Sequence, residues 1–345
     1  MNDNKKSSKD ININNDNNDI TKKKNNPMPE IANNKNNSTA NHKIEKMANN
    51  EIKSRTENET GNITDNRTGI RTKNKEVNKA QNRIDKAFEN RIDKAFENGK
   101  ALIGFLTAGD PSLSKTKEFI LTMVKAGVDL IEIGVPFSDP IAEGEVIQRA
   151  NDRALKAGTT TDGLFGMVRQ VREETDIPLA LLTYMNPVFV YGIHRFFEQC
   201  GRLGINGIII PDLPYEEKKE VLEIAEQNHI DLITMIAPTS KNRIKMLASD
   251  AKGFVYVVSS MGVTGVRNDI QTDLKSIIEE IRKVTDTKTA VGFGISTPQQ
   301  ARDIAKIADG VIIGSAIVKI IEESGGSAGP KLFGYIREMK KGLKI

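Results

Sequence analysis

The chain has 345 residues, with 50 Lys+Arg against 46 Asp+Glu. Its positive excess belongs to residues 1–81, which carry 16 basic and 11 acidic side chains, whereas residues 82–345 carry 34 and 35. A nearly neutral main body takes away most of the support for a nucleic-acid-binding reading, and a single cysteine, Cys200, rules out a disulfide framework or a thiolate metal cluster.

No apolar run is long enough to span a membrane, and the opening MNDNKKSSKD lacks the apolar core of a secretory signal. The expectation is therefore a soluble cytoplasmic protein without membrane attachment. Residues 1–81 hold 21 Asn and no Phe, Tyr or Trp. Such a segment buries too little apolar surface to offset the entropy of ordering it, so a disordered Asn/Lys-rich leader is expected there. All 12 Phe and 5 Tyr lie in residues 82–345, enough chain for one large domain. At the boundary NRIDKAFE occurs twice in tandem, at 82–89 and 90–97. Eight residues at about 100° each overshoot two helical turns by about 80°. The copies cannot both face one surface, and the second, with Ile92 and Phe96, is expected to dock on the domain.

From residue 101 short apolar runs alternate with amphipathic stretches. Predicted strands are Leu102–Thr107, Leu130–Gly134, Leu179–Tyr184, Gly207–Pro211, Leu232–Ile236, Gly253–Val258, Thr289–Gly292 and Gly310–Ile313. Their continuous apolar character suits parallel strands buried on both faces. Helical patterns include Lys115–Ala126, Gly163–Glu174, Val188–Leu203, Glu216–Asn228, Lys241–Ser249, Asp273–Val284 and Pro298–Lys306. Eight strand–helix units over about 250 residues point to an α/β fold, a (β/α)8 TIM barrel preceded by the leader. A doubly wound sheet is the alternative.

A barrel places chemistry at the C-terminal ends of its strands, and polar and glycine-rich residues gather there. Strand two carries Glu132 inside Leu130-Ile131-Glu132-Ile133 and continues into a loop holding Glu143. Alternation turns Glu132 to the face opposite Ile131 and Ile133. A carboxylate aimed into a barrel mouth needs a partner or a raised pKa. Both a structural ion pair and an acid–base role with Glu143 are open at this level. Gly294 follows strand seven, and Gly314-Ser315 follow strand eight at a helix start. Glycines there let backbone N–H groups approach phosphate oxygens, so phosphate binding is expected, against the alternative of tight turns alone.

The segments GFLTAGDP (104–111), IEIGVPFSDPIAEG (131–144), YMNPVFVYG (184–192), PDLP (211–214), SSMGVTGVR (259–267), GFGIS (292–296) and IIGSAIVKII (312–321) appear in one chain in this order. With NRIDKAFE, they make residues 90–345 closely resemble the tryptophan synthase alpha subunit family. That resemblance implies a lyase cleaving indole-3-glycerol phosphate to indole and glyceraldehyde 3-phosphate in tryptophan biosynthesis. It implies no cofactor on this chain. It further implies a beta subunit partner that carries pyridoxal phosphate, in an alpha2-beta2 heterotetramer.

By motif position the resemblance makes Glu132 the catalytic carboxylate that protonates indole C3, and Glu143 the carboxylate that contacts the indole N–H. Tyr256 matches an active-site tyrosine. Phe105 and Thr107 fall in the segment lining the indole pocket. Thr264 sits in a mobile loop, with Gly262 and Gly265 as hinges. Gly265, Gly294, Gly314 and Ser315 match phosphate-binding positions, and Asp139 and Asp212 belong to surfaces associated with the subunit contact. Two departures stand out. Glu143 occupies a position where the family usually has Asp, pushing the carboxylate roughly 1.5 Å further. Glu145 occupies a usual Pro position, which is expected to loosen the loop and add charge beside the site.

The remaining conspicuous residues have plain readings. His42, His194 and His229 share no ligand spacing, so no metal is expected, and none pairs with a strand-end nucleophile. Cys200 reads as a packed residue. A stand-alone lyase that releases free indole, a weakly catalytic activator of a beta subunit, and another phosphate-binding barrel are the rival readings.

Overall fold

The computed structural model describes residues 92–259, 267–292 and 294–344. The leader, the first octapeptide copy and the Gly262, Thr264 and Gly265 positions lie outside the described residues.

Nine parallel segments form one sheet among the described residues: β1 (Ala101–Thr107), β2 (Leu130–Gly134), β3 (Leu179–Leu182), β4 (Gly207–Ile209), β5 (Asp231–Leu232), β6 (Thr234–Ile236), β7 (Phe254–Val258), β8 (Lys288–Gly292) and β9 (Gly310–Ile313). Their order is β5-β4-β3-β2-β1-β9-β8-β7-β6. Only Ile233 separates β5 from β6, so the two edges are halves of one strand, and the expected strand Leu232–Ile236 closes the ring. Its first half pairs with β4 and its second with β7, while the Ile233 N–H donates to the Ile208 carbonyl at 2.9 Å. The fold is the expected TIM barrel with eight strand positions.

The helices are α1 (Lys94–Glu97), α2 (Leu113–Ala126), α3 (Glu145–Lys156), α4 (Thr161–Arg172), α5 (Met185–Tyr191), α6 (Ile193–Arg202), α7 (Lys218–Gln227), α8 (Ile244–Ala248), α9 (Arg267–Arg282), α10 (Pro298–Ala305), α11 (Ser315–Ser324) and α12 (Gly329–Gly342). Among these described elements no helix is long and apolar enough to cross a membrane. The expected single helix Val188–Leu203 is two helices. Gly192, at φ 93°, ends α5 and starts α6, a backbone conformation that side chains with a Cβ rarely adopt. Helix α3 has no counterpart in the periodicity reading. It buries only Ala150, Asn151 and Ala154, so it offers no large apolar stripe to detect.

Strand alternation divides the core into two layers. Ile103, Phe105, Leu130, Ala180, Ile209, Phe254 and Tyr256 point into the barrel. Residues such as Leu102, Leu106, Ile131, Ile133, Leu181 and Val255 point outward against the helices. The second octapeptide copy closes the N-terminal end. Ile92 is buried against Gly207 and Gly253, and Phe96 lies against Gly310 and, at 6.1 Å between ring centroids, Phe254. Side chains at those three glycines would displace the plug. Truncating Ile92 or Phe96 to Ala would cost about 2–5 kcal/mol of stability. Apolar side chains thus fill the bottom of the barrel interior.

Candidate active site

A cavity opens at the C-terminal end of the strands, with about 580 Å³ of space free of protein atoms, part of it continuous with solvent. Of the residues singled out from the sequence, it brings together Phe105, Glu132, Glu143, Tyr256, Gly294, Gly314 and Ser315. Thr107, two residues beyond Phe105 at the end of β1, is buried and does not line it.

Glu132 pairs in register with Phe105 on one side and Ala180 on the other, so its inward side chain sits between an aromatic ring and a methyl group. It is 1% exposed, and Oε2 has no hydrogen-bond partner. Among the described residues no basic side chain lines the cavity, so none of them supplies Glu132 with the structural ion pair left open by the sequence. Burial, followed by the charge of Glu143, pushes its pKa up to about 8. At neutral pH the group is therefore mostly a protonated acid on the cavity wall.

Glu143 is held differently. Asn151 Nδ2 donates to its Oε2 at 2.7 Å, and the Tyr184 hydroxyl also hydrogen-bonds the carboxylate. The same hydroxyl accepts the Ala142 N–H at 3.0 Å. Burial raises the Glu143 pKa above the ordinary carboxylate value, and the two hydrogen bonds offset part of that rise. Tyr184 is itself pushed up to about 12, mainly by burial, so it donates as a neutral phenol. One carboxyl is thus buried with an oxygen that lacks a donor and the other is supplied with two, so the pair sits in unlike environments.

Just past Glu143, the placement of Glu145 differs from the expectation of a charge beside the site. This residue is the first of α3, after the Gly144 cap, and its side chain is 92% exposed and 3.9 Å from Arg149. It points away from the site. A carboxylate in the first turn of a helix is favourable to the helix dipole, so Glu145 starts the helix where a proline is also well suited. The backbone is helical from this residue onward.

Tyr256 lies on β7 across from Glu132, whose charge adds to burial in raising the phenol well above its ordinary value. Its ring is accommodated by Gly292: a Cβ there would stand 2.5 Å from the hydroxyl and 2.8 Å from two ring carbons. Gly134 does the same for the Phe105 ring, at 2.7 Å. Opposite the carboxylates, Gly294 takes a φ of 79°, and Gly314 caps α11, of which Ser315 is the first residue. The first N–H groups of a helix have no intrahelical acceptor and, with the dipole, favour an anion. A Cβ on Gly314 would meet the Phe105 ring at 3.3 Å.

Leu182, Met235, Ile147 and Ile312 complete an apolar wall, with Pro211 beside them. Motif reading did not mark these, because an apolar residue in a buried strand carries no sign of which cavity it lines. Asn151 was missed along with α3. Tyr184 was visible only as a polar strand end. Asp212 accepts the Met185 N–H at 3.0 Å and anchors α5, while Asp139 is exposed and accepts a hydrogen bond from Ser138. Among the described residues no three His, Cys, Asp or Glu side chains gather as a metal site. Cys200 is fully buried.

Residues 92–341 match the model of the tryptophan synthase alpha chain family. A tryptophan synthase alpha chain from Lacticaseibacillus casei is 45% identical over 241 residues, covering 70% of this chain and 91% of the relative. One from Alkaliphilus metalliredigens is 48% identical over 223 residues, covering 65% and 84%. The crystal structure of tryptophan synthase subunit alpha from Legionella pneumophila superimposes with a TM-score of 0.68 at 34% identity, covering 74% of this chain and 98% of that one. A chain of the tryptophan synthase a2b2 complex from Pyrococcus furiosus gives 0.66 at 37% identity, covering 70% and 98%.

Proposed function

The chain belongs to the tryptophan synthase alpha chain family, and on that premise we propose that Glu132 and Glu143 are the acid–base pair with which it cleaves indole-3-glycerol phosphate. The reaction is a retro-aldol cleavage to indole and glyceraldehyde 3-phosphate. The observation that carries the assignment is the buried, unpartnered Glu132 Oε2 facing an apolar cavity that also holds a hydrogen-bonded Glu143.

Glu132 delivers its proton to indole C3. Positive charge then develops over the ring nitrogen, where the Glu143 carboxylate accepts the N–H and stabilises it in a largely apolar site. The cationic ring is the electron sink. Glu132, now a carboxylate, takes the proton of the side-chain hydroxyl as that carbon becomes an aldehyde. The carbon–carbon bond breaks, its electrons return to the indole, and the two proton transfers cancel. Phe105 and Leu182 hold the ring, and the Gly314–Ser315 helix start with Gly294 receives the phosphate. This chemistry needs only proton transfer, so the chain works without a cofactor of its own, and pyridoxal phosphate belongs to the beta subunit.

The partner is a tryptophan synthase beta subunit, in an alpha2-beta2 heterotetramer. Ile141 on the loop after β2, and Phe189 and Val190 on α5 after β3, are large apolar side chains left exposed around this end of the barrel. Exposed apolar groups of this kind suit a protein interface. The complex works in the cytoplasm.

The test is indole release from indole-3-glycerol phosphate by the full chain with its beta subunit, for wild type and Glu132→Gln. Loss of release in the variant, with inorganic phosphate binding retained, is expected. Cleavage at comparable rates in both would remove Glu132 from its role.

A further inference from the structure

One guanidinium ties together three of the segments around the cavity, carried by one of them and bonded to the other two. Arg153, on α3, donates from Nε and Nη2 to both carboxylate oxygens of Asp110, at 2.9 and 2.8 Å. Asp110 lies three residues past the end of β1, the strand that carries Phe105, and its side chain is 2% exposed. The remaining Arg153 nitrogen, Nη1, donates to Glu322 Oε1 at 2.8 Å. Glu322 lies near the C-terminal end of α11, whose first residue is Ser315. It also accepts from Arg149 Nε at 2.7 Å and Nη2 at 3.0 Å. The hydrogen bonds and charge of Arg149, and then the hydrogen bond from Arg153, hold the Glu322 carboxyl down to about 2. The same helix α3 presents Asn151 to Glu143.

We propose that Arg153 is a positioning residue that sets the distance between the Glu143 carboxylate and the phosphate end of the cavity by tying α3 to α11 and to the turn after β1. The inference rests on the reaction and site proposed above. A substrate held at both ends reacts only when the span between the two holding groups matches it, and misplacement of about 1 Å can cost up to about a hundredfold in rate. Helix α3 has few apolar contacts of its own to fix that span, burying only Ala150, Asn151 and Ala154. The planar fork of Arg153 does so through three directional bonds. Lysine cannot replace it, because one ammonium does not reproduce a bidentate contact with a third bond fixed at a set angle. This network differs from exposed pairs such as Arg202–Glu198, which joins residues of a single helix.

The experiment compares Arg153→Lys, Glu322→Gln and the control Arg202→Gln in the full chain with its beta subunit. Steady-state cleavage gives kcat and KM, and inorganic phosphate serves as a competitive probe of the phosphate end. Arg153→Lys retains a positive charge beside the buried Asp110, and Glu322→Gln leaves the Asp110–Arg153 pair intact, so the second variant carries the test if the first fails to fold. Both are expected to lower kcat about tenfold, with KM and phosphate inhibition within about twofold of wild type and Arg202→Gln unaffected. Values of kcat within twofold of wild type, a loss confined to KM, or an equal loss in Arg202→Gln would overturn the proposal. An inactive wild type would instead bring down the reading of the reaction and this inference with it, whereas an active wild type with unchanged variants defeats this inference alone.

Discussion

A buried acid whose pKa rises on folding weakens the fold as pH increases, and Glu132 makes that cost measurable. Below pH 4.5 the carboxyl is protonated in both the folded and the unfolded chain, and its contribution to stability is fully present. Between pH 4.5 and about 8 the unfolded chain ionises while the folded chain keeps its proton. Stability is lost over that window at about 1.4 kcal/mol per pH unit, and the loss levels off above it. The accumulated cost is about 1 kcal/mol at pH 5 and about 4 kcal/mol at pH 7.5. Glu132→Gln removes the titration while keeping the shape. The buried amide loses a further 1–3 kcal/mol or so for donors without partners, but that offset does not depend on pH. Urea unfolding of wild type and variant at both pH values is the assay. The stability difference, variant minus wild type, is expected to grow by about 3 kcal/mol from pH 5 to pH 7.5. A difference that stays constant would mean that Glu132 ionises at its ordinary pH, and it would remove the protonated acid from the mechanism.

The same group predicts the alkaline limb of the rate profile: kcat should fall about tenfold per pH unit above about 8 as Glu132 loses its proton, and a rate flat to pH 9.5 would contradict the assignment. Gly292→Ala places a Cβ 2.5 Å from the Tyr256 hydroxyl and should lower kcat/KM about a hundredfold by driving the ring into the cavity. Wild-type kinetics in that variant would show that the ring is free to move aside. Glu143→Asp withdraws the carboxylate by roughly 1.5 Å from the 2.7 Å bond with Asn151, and kcat is expected to drop about tenfold although Asp is the usual residue there. An equal or faster rate would mean that α3 does not hold this carboxylate in place.

Local pattern determined a large part of this protein. Period-two alternation between Leu130 and Gly134 turns Glu132 inward whatever the strand pairs with. Parallel, doubly buried strands place their last residues at one rim, so Glu132, Tyr256, Gly294 and Gly314 could be collected from the sequence before any contact was known. The second octapeptide was legible for the same reason, since Ile92 and Phe96 stand one helical turn apart. Tertiary structure alone decided the state of those residues. Whether Glu132 is an ion-paired strut or a lone acid depends on what lies across the barrel, and desolvation is a property of every neighbour rather than of the strand. Asn151 and Tyr184 reach Glu143 from 8 and 41 residues away, and Arg153 joins positions 110 and 322. Neither periodicity nor spacing encodes such meetings. They arise only when the strands close into a ring and bring helices α3 and α11 side by side.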